Sequence, residues 1–392
     1  MISIKDLDIK DKTVLIRVDY NVPIVNGVIR DTLRVDASFE TIDYCLKNNC
    51  KVVLMSHFGR PNSCDLNYSL LPVFEYLNKI YSGKVFFATD CVSDDSIRKS
   101  NDLKAGQILL LENLRFHKEE LECDYDFSHK LSMHGEIFVN DAFGTSHRSH
   151  ASNVGVCKFF NHKGYGFLIK KEKKYLSDII KASEKRLTLI LGGAKISDKI
   201  KILDRFLGVA DNILIGGAMS NNFLKASEFN IGKSLYEQSY VNYAKEILAH
   251  KCDTDIILPT DYVCTTDLEN RENVRNLKFS NIEDNDYAVD IGIETIKLFT
   301  TIISEKTDIV IWNGPMGVIE IEDFSNGTKE IINSIKVMEK ENLISIIGGG
   351  DTGSMINKSE YSKFTHISTG GGASLKLLSG DTMDSFEALK NE

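Results

Sequence analysis

Thr13-Val14-Leu15-Ile16-Arg17-Val18-Asp19-Tyr20-Asn21 is an apolar run that closes on an arginine, a carboxylate and an amide. Continuous rather than alternating hydrophobicity describes a strand buried on both faces, as in a parallel sheet covered by helices from either side. The pattern recurs at Lys51-Val52-Val53-Leu54-Met55, Lys84-Val85-Phe86-Phe87, Ile108-Leu109-Leu110-Leu111 and Ile137-Phe138-Val139. Between these runs, 34–49 and 70–80 carry helical spacing, so strands and helices alternate and the class is α/β with parallel sheets. The second half repeats the theme at 187–191, 212–215, 256–258, 309–311 and 343–347, and several of these runs end in glycine clusters. Separating the halves is Lys170-Lys171-Glu172-Lys173-Lys174-Tyr175-Leu176-Ser177-Asp178-Ile179-Ile180, which reads as an exposed helix linking two lobes, with the boundary near 168.

A chain of 392 residues, 42% hydrophobic and 26% charged, has the length for two domains and the composition to bury a sizeable core. No apolar stretch reaches the roughly 18 residues of a membrane span. Met1-Ile2-Ser3-Ile4-Lys5-Asp6 lacks a basic segment followed by an apolar one, so the cytoplasm is the expected compartment. A net charge of −9 argues against a surface devoted to nucleic acid. Of 47 basic residues only eleven are arginine, yet Arg17, Arg30, Arg34, Arg60, Arg98, Arg115 and Arg148 all fall in the first 150 positions. Arginine's planar fork binds phosphate and carboxylate bidentately, so this asymmetry points to an anion site, with ordinary surface ion pairs as the competing explanation. The eight cysteines form no C-x-x-C pair and meet no histidines at zinc spacing, and they read as reduced and structural.

In open α/β sheets, ligands bind beyond the carboxyl ends of the strands. In the first half those positions hold Asp19 and Asn21, His57 and Arg60 in Ser56-His57-Phe58-Gly59-Arg60-Pro61, and Arg115 in Leu111-Glu112-Asn113-Leu114-Arg115-Phe116. Arg148 closes Asn140-Asp141-Ala142-Phe143-Gly144-Thr145-Ser146-His147-Arg148. With Arg34 from the first helix, the set suits a small anion carrying phosphate and carboxylate groups and a hydroxyl for Asp19 or Asn21. Each residue alone has a structural explanation; their gathering at strand ends is the signal.

The second half is glycine-rich instead: Gly192-Gly193-Ala194-Lys195-Ile196-Ser197-Asp198-Lys199, Gly216-Gly217-Ala218, Asn313-Gly314-Pro315-Met316-Gly317, Gly348-Gly349-Gly350-Asp351-Thr352 and Gly370-Gly371-Gly372-Ala373-Ser374. Strand, glycine cluster, helix is a phosphate cradle, because glycines let backbone N–H groups approach phosphate oxygens. Lys195 and Lys199, four apart, share a face of any helix begun there. Asp351 suits a nucleotide-bound magnesium, although it or Thr352 would equally serve as a helix N-cap. Gly348-x-Gly350-x-x-Gly353 matches the dinucleotide fingerprint, but no acidic residue follows about 20 positions on. Gly232-Lys233-Ser234 resembles the end of a Walker A loop; Ser227 occupies the place of its first glycine, so the segment reads as a surface loop.

Taken together, 17–23, 55–61, 111–117, 140–148, 191–195, 312–315 and 348–352 resemble the phosphoglycerate kinase family across nearly the whole chain. The resemblance implies two Rossmann-like lobes facing across a cleft and joined by a hinge helix. It assigns 1–168 to phosphoglycerate and 169–375 to the nucleotide, with 376–392 returning to the first lobe. It implies a monomeric enzyme that moves a phosphoryl group reversibly between 1,3-bisphosphoglycerate and ADP, giving 3-phosphoglycerate and ATP, with Mg²⁺ carried as MgATP or MgADP. Carried over by motif, Asp19, Asn21, Arg34, His57, Arg60, Arg115 and Arg148 bind phosphoglycerate. Lys195, Lys199, Gly216, Gly292, Asn313, Glu320, Gly349, Gly350, Asp351 and Thr352 take the nucleotide, with Glu320 at the ribose and Asp351 at magnesium. Arg34, Lys195, Lys199, Gly371 and Gly372 form the implied catalytic set. Departures are Tyr20 for a usual phenylalanine, Ile319 and Ile321 for aromatics, and a tail, Asp381 to Glu392, without the usual proline-glycine.

On this reading the nucleophile in the ATP-consuming direction is an ionised carboxylate, so no general base is required and catalysis reduces to positioning and charge. Water destroys an acyl phosphate, which makes 168–185 an expected hinge for closure. Two other functions stand beside it: a nicotinamide dehydrogenase using Gly348 to Gly353, marked by NAD binding without magnesium, and a scaffold that kept the fold and lost turnover. The presence of Arg34, Lys195, Lys199 and Asp351 weighs against the scaffold.

Overall fold

The computed structural model describes residues 1–178, 180, 185–338 and 342–390. The chain divides into two compact units, Met1–Ser177 with Asp381–Glu392, and Asp178–Gly380.

The first unit contains β1 (Ile2–Ser3), β2 (Thr13–Arg17), a small antiparallel hairpin of β3 (Ile24–Val25) and β4 (Val28–Ile29), β5 (Lys51–Met55), β6 (Val85–Ala88), β7 (Ile108–Leu111), β8 (Ile137–Asn140) and β9 (Lys163–Tyr165). Seven of these form one parallel sheet in the order β1-β9-β8-β2-β5-β7-β6. Val14, Ile16, Val52, Leu54 and Val139 enter one core, while their neighbours Leu15, Val53, Met55 and Phe138 enter another. Successive side chains of a strand point to opposite faces, and both faces are dry here, which is why the runs lack polar positions. β2 lies between β5 and β8, so Asp19–Asn21 and Asn140–Asp141 flank the point where strand order reverses.

The expected helix over 34–49 is two, Leu33–Asp36 and Phe39–Lys47. At the break, Ser38 Oγ donates to Val35 O at 2.7 Å, a local side-chain bond that competes with helix continuation. The helix expected over 70–80 spans Leu71–Ile80, with Pro72 in its first turn. The lysine-dense stretch is not a uniformly exposed helix. Phe167–Lys173 is α-helical, Lys174–Asp178 is a π turn, and Phe167, Leu168, Ile169, Glu172, Leu176 and Ser177 are buried. Phe167 packs edge-on against Tyr44 at 5.4 Å, which draws this helix into the first unit and carries the division past 168 to Ser177. Of the expected hinge, residues 179 and 181–184 lie outside the described residues, as do 391 and 392 of the tail. The rest of the tail packs on the first unit: Ser385 N donates to Ser146 O at 3.1 Å, and Leu389 is buried in the core that holds Leu15 and Phe138.

The second unit carries β10 (Leu187–Leu191), β11 (Asn212–Ile215), β12 (Asp255–Ile257), β13 (Asp261–Thr265), β14 (Arg275–Lys278), β15 (Tyr287–Ile291), β16 (Ile309–Asn313), β17 (Ile344–Gly348) and β18 (His366–Ile367). A parallel sheet runs β12-β11-β10-β16-β17-β18, with the reversal between β10 and β16. The antiparallel sheet β14-β13-β15 is an element that apolar runs did not announce, since its strands carry polar residues such as Arg275, Asn276 and Asp290. No described helix is long and apolar enough to cross a membrane.

Candidate active site

In the first unit, Asp19 and Asn21 leave β2 in a turn whose Asn21 N donates to Asp19 Oδ1 at 3.2 Å. Asn21 Oδ1 accepts from Gly59 N at 2.9 Å, and its carbonyl accepts from Arg34 Nη1 at 2.9 Å. Arg34 lies 3.4 Å from Asp19 Oδ2. Arg115 is 8% exposed, donates from Nη1 to Gly59 O at 2.5 Å and leaves its buried Nε without a protein acceptor among the described residues. The structure therefore brings Asp19, Asn21, Arg34, His57 and Arg115 together at the carboxyl ends of β2, β5 and β7. Arg148 and Arg60 join them electrostatically: burial, then Arg148, Arg17 and Arg60, push the Arg115 guanidinium down to about 10.

Arg17, one of the seven arginines in the first 150 residues, takes a positioning role. It is fully buried, donates from Nε to Ser152 Oγ at 2.8 Å and from Nη1 to Val18 O, and reaches His57 Nδ1 from Nη2 at 3.2 Å. Arginine only donates, so His57 Nδ1 accepts and the proton of the neutral ring sits on Nε2. Burial first, then Arg17, Arg115 and Arg148, hold His57 well below the usual histidine range. Its 3.9 Å approach to Asp19 is thus no ion pair at neutral pH. Burial and the same arginines push His150 down to about 3. Beneath them Glu120 is fully buried and accepts from Ser152 N and Oγ at 2.9 and 2.6 Å. Several arginines beside two histidines held neutral make a site short of negative charge.

In the second unit, the residues after β10, β16 and β17 line a cavity of about 410 Å³ with Lys195, Asp198, Lys199, Asn313, Gly349, Gly350, Asp351, Thr352 and Gly371 in its wall. Lys199 is 7% exposed and donates to Asn313 Oδ1. Burial pushes its ammonium down to about 8, against the pull of Asp198 and Asp351. Gly217 and Gly314 adopt φ of +63° and +95°, and a Cβ on either would run into the backbone around Gly192 and Gly193. That close approach lets backbone from three strand ends form one concave wall.

A second cavity of about 350 Å³ shares Gly193, Ala194, Pro315 and Asp351 with the first and continues along Leu235, Tyr262, Leu268, Tyr287, Val289, Val318 and Glu320. Polar cradle and mostly apolar slot together have the form of a nucleotide site, phosphates in one and base in the other. Glu320 lines the slot. Gly216 and Gly292 line neither cavity; they pack tightly on Met316 and on Asp261. Gly372 adjoins the cradle through Gly371 without lining it. Ser234, expected on a surface loop, is 5% exposed and lines the slot, its Oγ accepting from Ala288 N at 2.8 Å. The slot's tyrosines and Asp290 come from the antiparallel sheet, whose strands Asp261–Thr265 and Tyr287–Ile291 mix polar and apolar residues without a period that marks them in the sequence.

An arginine-rich pocket on one α/β unit and a glycine-rich cradle with its adjoining slot on another are the features expected of a two-domain phosphotransferase. The phosphoglycerate kinase family model matches residues 4–381. The chain is 45% identical to phosphoglycerate kinase of Finegoldia magna over 99% of its length and 98% of that protein's, and 42% identical to that of Elusimicrobium minutum over the same shares. The solved phosphoglycerate kinase of Coxiella burnetii superposes with a TM-score of 0.87 at 31% identity, covering 99% of this chain and 98% of that one. That of Pyrococcus horikoshii gives 0.83 at 31%, with the same coverage. The chain belongs to the phosphoglycerate kinase family.

Proposed function

We propose that the chain moves a phosphoryl group reversibly between 1,3-bisphosphoglycerate and ADP, giving 3-phosphoglycerate and ATP. The observation that carries the substrate assignment is the gathering of Arg34 and Arg115, with Arg60 and Arg148 acting on them electrostatically, at the strand ends of the first unit, beside hydrogen-bonding groups fit for a hydroxyl. Arg60, Arg115 and Arg148 take the 3-phosphate, His57 Nε2–H and Arg34 the carboxylate end, and Asp19 with Asn21 the hydroxyl. The nucleotide lies along the second unit's slot and cradle, with Glu320 at the ribose and Lys195, Lys199, Asn313 and the backbone of 349–352 and 371–372 at the phosphates.

The donor set suits Mg²⁺ carried by the nucleotide: Asp351, with Asp198 also in the cradle's wall, would hold the ion together with phosphate oxygens and water. Bound there, the ion supplies neutralising charge to the phosphates. The attacking carboxylate is ionised and needs no base, so the protein's part is alignment in line and cationic stabilisation of the moving group by Arg34 and Lys199, with Lys195 and the Gly371 and Gly372 amides assisting. We assign 168–185 the role of a hinge that lets the loaded protein exclude water from the acyl phosphate; scattering that is identical with and without both substrates would remove this part. The chain is taken to act as a monomer in the cytoplasm, so sedimentation at 44.0 kDa and recovery in the cytosolic fraction are expected.

The decisive assay is MgATP-dependent turnover of 3-phosphoglycerate, with product drawn off by glyceraldehyde-phosphate dehydrogenase and NADH, run beside Lys199→Ala and Arg34→Ala. Activity in the parent and its loss in both folded variants is expected. Tight binding of both ligands without turnover would leave a scaffold instead.

A further inference from the structure

Away from both sites, Asp90, Cys91 and His117 meet in the first unit, the first two just after β6 and the third just past the turn that holds Arg115. One carboxylate oxygen, the sulfur and one imidazole nitrogen all lie within 4.8 Å of one another. Asp90 Oδ1 is occupied, accepting from Val92 N at 2.7 Å and Ser93 N at 2.8 Å, and this aims Oδ2 at His117 Nε2, 3.0 Å away. The peptide of Cys91 is pinned in turn: its carbonyl accepts from His134 Nε2 at 2.9 Å, and His134 Nδ1 is met by Ser100 Oγ. The His117 ring rests on Phe127, with centroids 5.4 Å apart. Outer contacts of this kind fix the orientation of first ligands in metal sites. The side chains of Asp90 and His117 are 35% and 28% exposed while Cys91 is 1% exposed, so the carboxylate and imidazole meet solvent and the sulfur is covered.

We infer that Asp90, Cys91 and His117 form a binding site for a zinc-type divalent cation, with water in the fourth position. Thiolate and imidazole select a borderline-soft ion with tetrahedral habit, and the hard, oxygen-seeking Mg²⁺ of the nucleotide is a poor competitor. The charges balance: a dication against one thiolate and one carboxylate is neutral, which suits a sulfur held out of water. On binding, Cys91 releases its proton to solvent, His117 gives its Nε2 proton to solvent and carries its remaining proton on Nδ1 so that the Nε2 lone pair coordinates, and the Asp90–His117 hydrogen bond gives way to two bonds to the ion. Occupancy ties the loop after β6 to the segment that ends two residues beyond Arg115. The inference is independent of the phosphoryl-transfer reading.

The test is Co²⁺ added to the full-length reduced protein. One equivalent with a sulfur-to-cobalt charge-transfer band and tetrahedral ligand-field bands is expected, displaced by Zn²⁺ and unaffected by Mg²⁺. Cys91→Ser abolishes the charge-transfer band; His117→Gln and Asp90→Asn weaken binding by at least about tenfold, with turnover and far-ultraviolet dichroism unchanged. Cys64→Ser, which alters an exposed thiol, leaves the band intact. If Cys91→Ser does not fold, the other two variants decide. Absence of the band in the parent protein, its survival in both Cys91→Ser and His117→Gln, or its loss only in Cys64→Ser overturns the inference.

Discussion

The two candidate sites are built for anions by opposite means. In the first unit the work falls to side chains: Arg115, Arg34, Arg148 and the neutral His57, held by Arg17 and, through Ser152, by the buried Glu120. In the second it falls largely to backbone, from glycines at strand ends, with Lys199 as the one cation nine-tenths buried among the described residues of the cradle. Side-chain charge recognises a small ligand whose phosphate and carboxylate must be told apart, whereas backbone amides suit a polyphosphate chain that presents similar oxygens along its length. Each design has a weak point. The first depends on which groups are charged, and the second on whether the chain can come close enough.

The largest effect should come from the cation that each side brings to the moving group. Lys199→Ala and Arg34→Ala are expected to lower kcat by roughly 10³-fold in the coupled assay, by analogy with cations that stabilise phosphoryl-transfer charge elsewhere. A full loss in one and none in the other would mean that one unit alone supplies the stabilisation.

Next, backbone packing separates two glycines of the second unit. A Cβ at Gly217 presses on Gly193 N at 2.5 Å and Pro315 O at 2.8 Å, whereas one at Gly371 meets nothing within 4 Å. Gly217→Ala should cost about 3 kcal/mol and Gly371→Ala, at φ +50°, about 1 kcal/mol. Fluorescence of Trp312, the single tryptophan, reports this unit during denaturation. Equal losses would show that close approach is not what these glycines provide.

Proton titration should then divide the sites. Lys199, lowered from 10.5 to about 8, is charged below pH 8 and loses its proton above it, so affinity for ADP should fall by up to about tenfold per pH unit above 8. Phosphate monoesters are already dianionic there. Binding of 3-phosphoglycerate should stay flat from pH 7 to 9, because His150 titrates at about 3 and Arg115 at about 10. Calorimetry at three pH values checks both; parallel curves would refute the contrast.

The smallest effect concerns what the units share. Asp141 accepts from Ile169 N at 3.1 Å and Asp290 from Gly327 N at 2.7 Å, each at the start of a helix. Burial raises both from 3.8 to about 7. A raised folded-state value stabilises fully below pH 3.8 and loses that contribution as pH rises through about 7. Asp290→Asn keeps an acceptor and does not titrate, so it should gain about 1 kcal/mol on the parent between pH 5 and 8, read by Trp312. Asp141→Asn should do the same in the first unit, read by amide exchange of β8. A loss with rising pH in either variant would reverse the sign and discard the burial argument.

Local pattern was enough to recognise the strands, the alternation with helices and the residues just past strand ends, because a dry parallel sheet leaves continuous apolar runs and ligand chemistry collects where they stop. Asp19, Asn21, Arg34, His57, Arg115, Lys195, Lys199 and Asp351 are therefore readable in the chain alone. The antiparallel sheet that walls the slot was not, since its strands carry polar positions; nor was the inner face of helix Phe167–Lys173, hidden under lysines. Tertiary structure alone decided that Arg17 serves His57, that Ser234 is buried in the slot, that Gly216 and Gly292 stand outside it, and that Asp90, Cys91 and His117 meet. The physical reason is common to all of these. Protonation, burial and contact depend on groups far apart in sequence, and those distances exist only once the chain has folded.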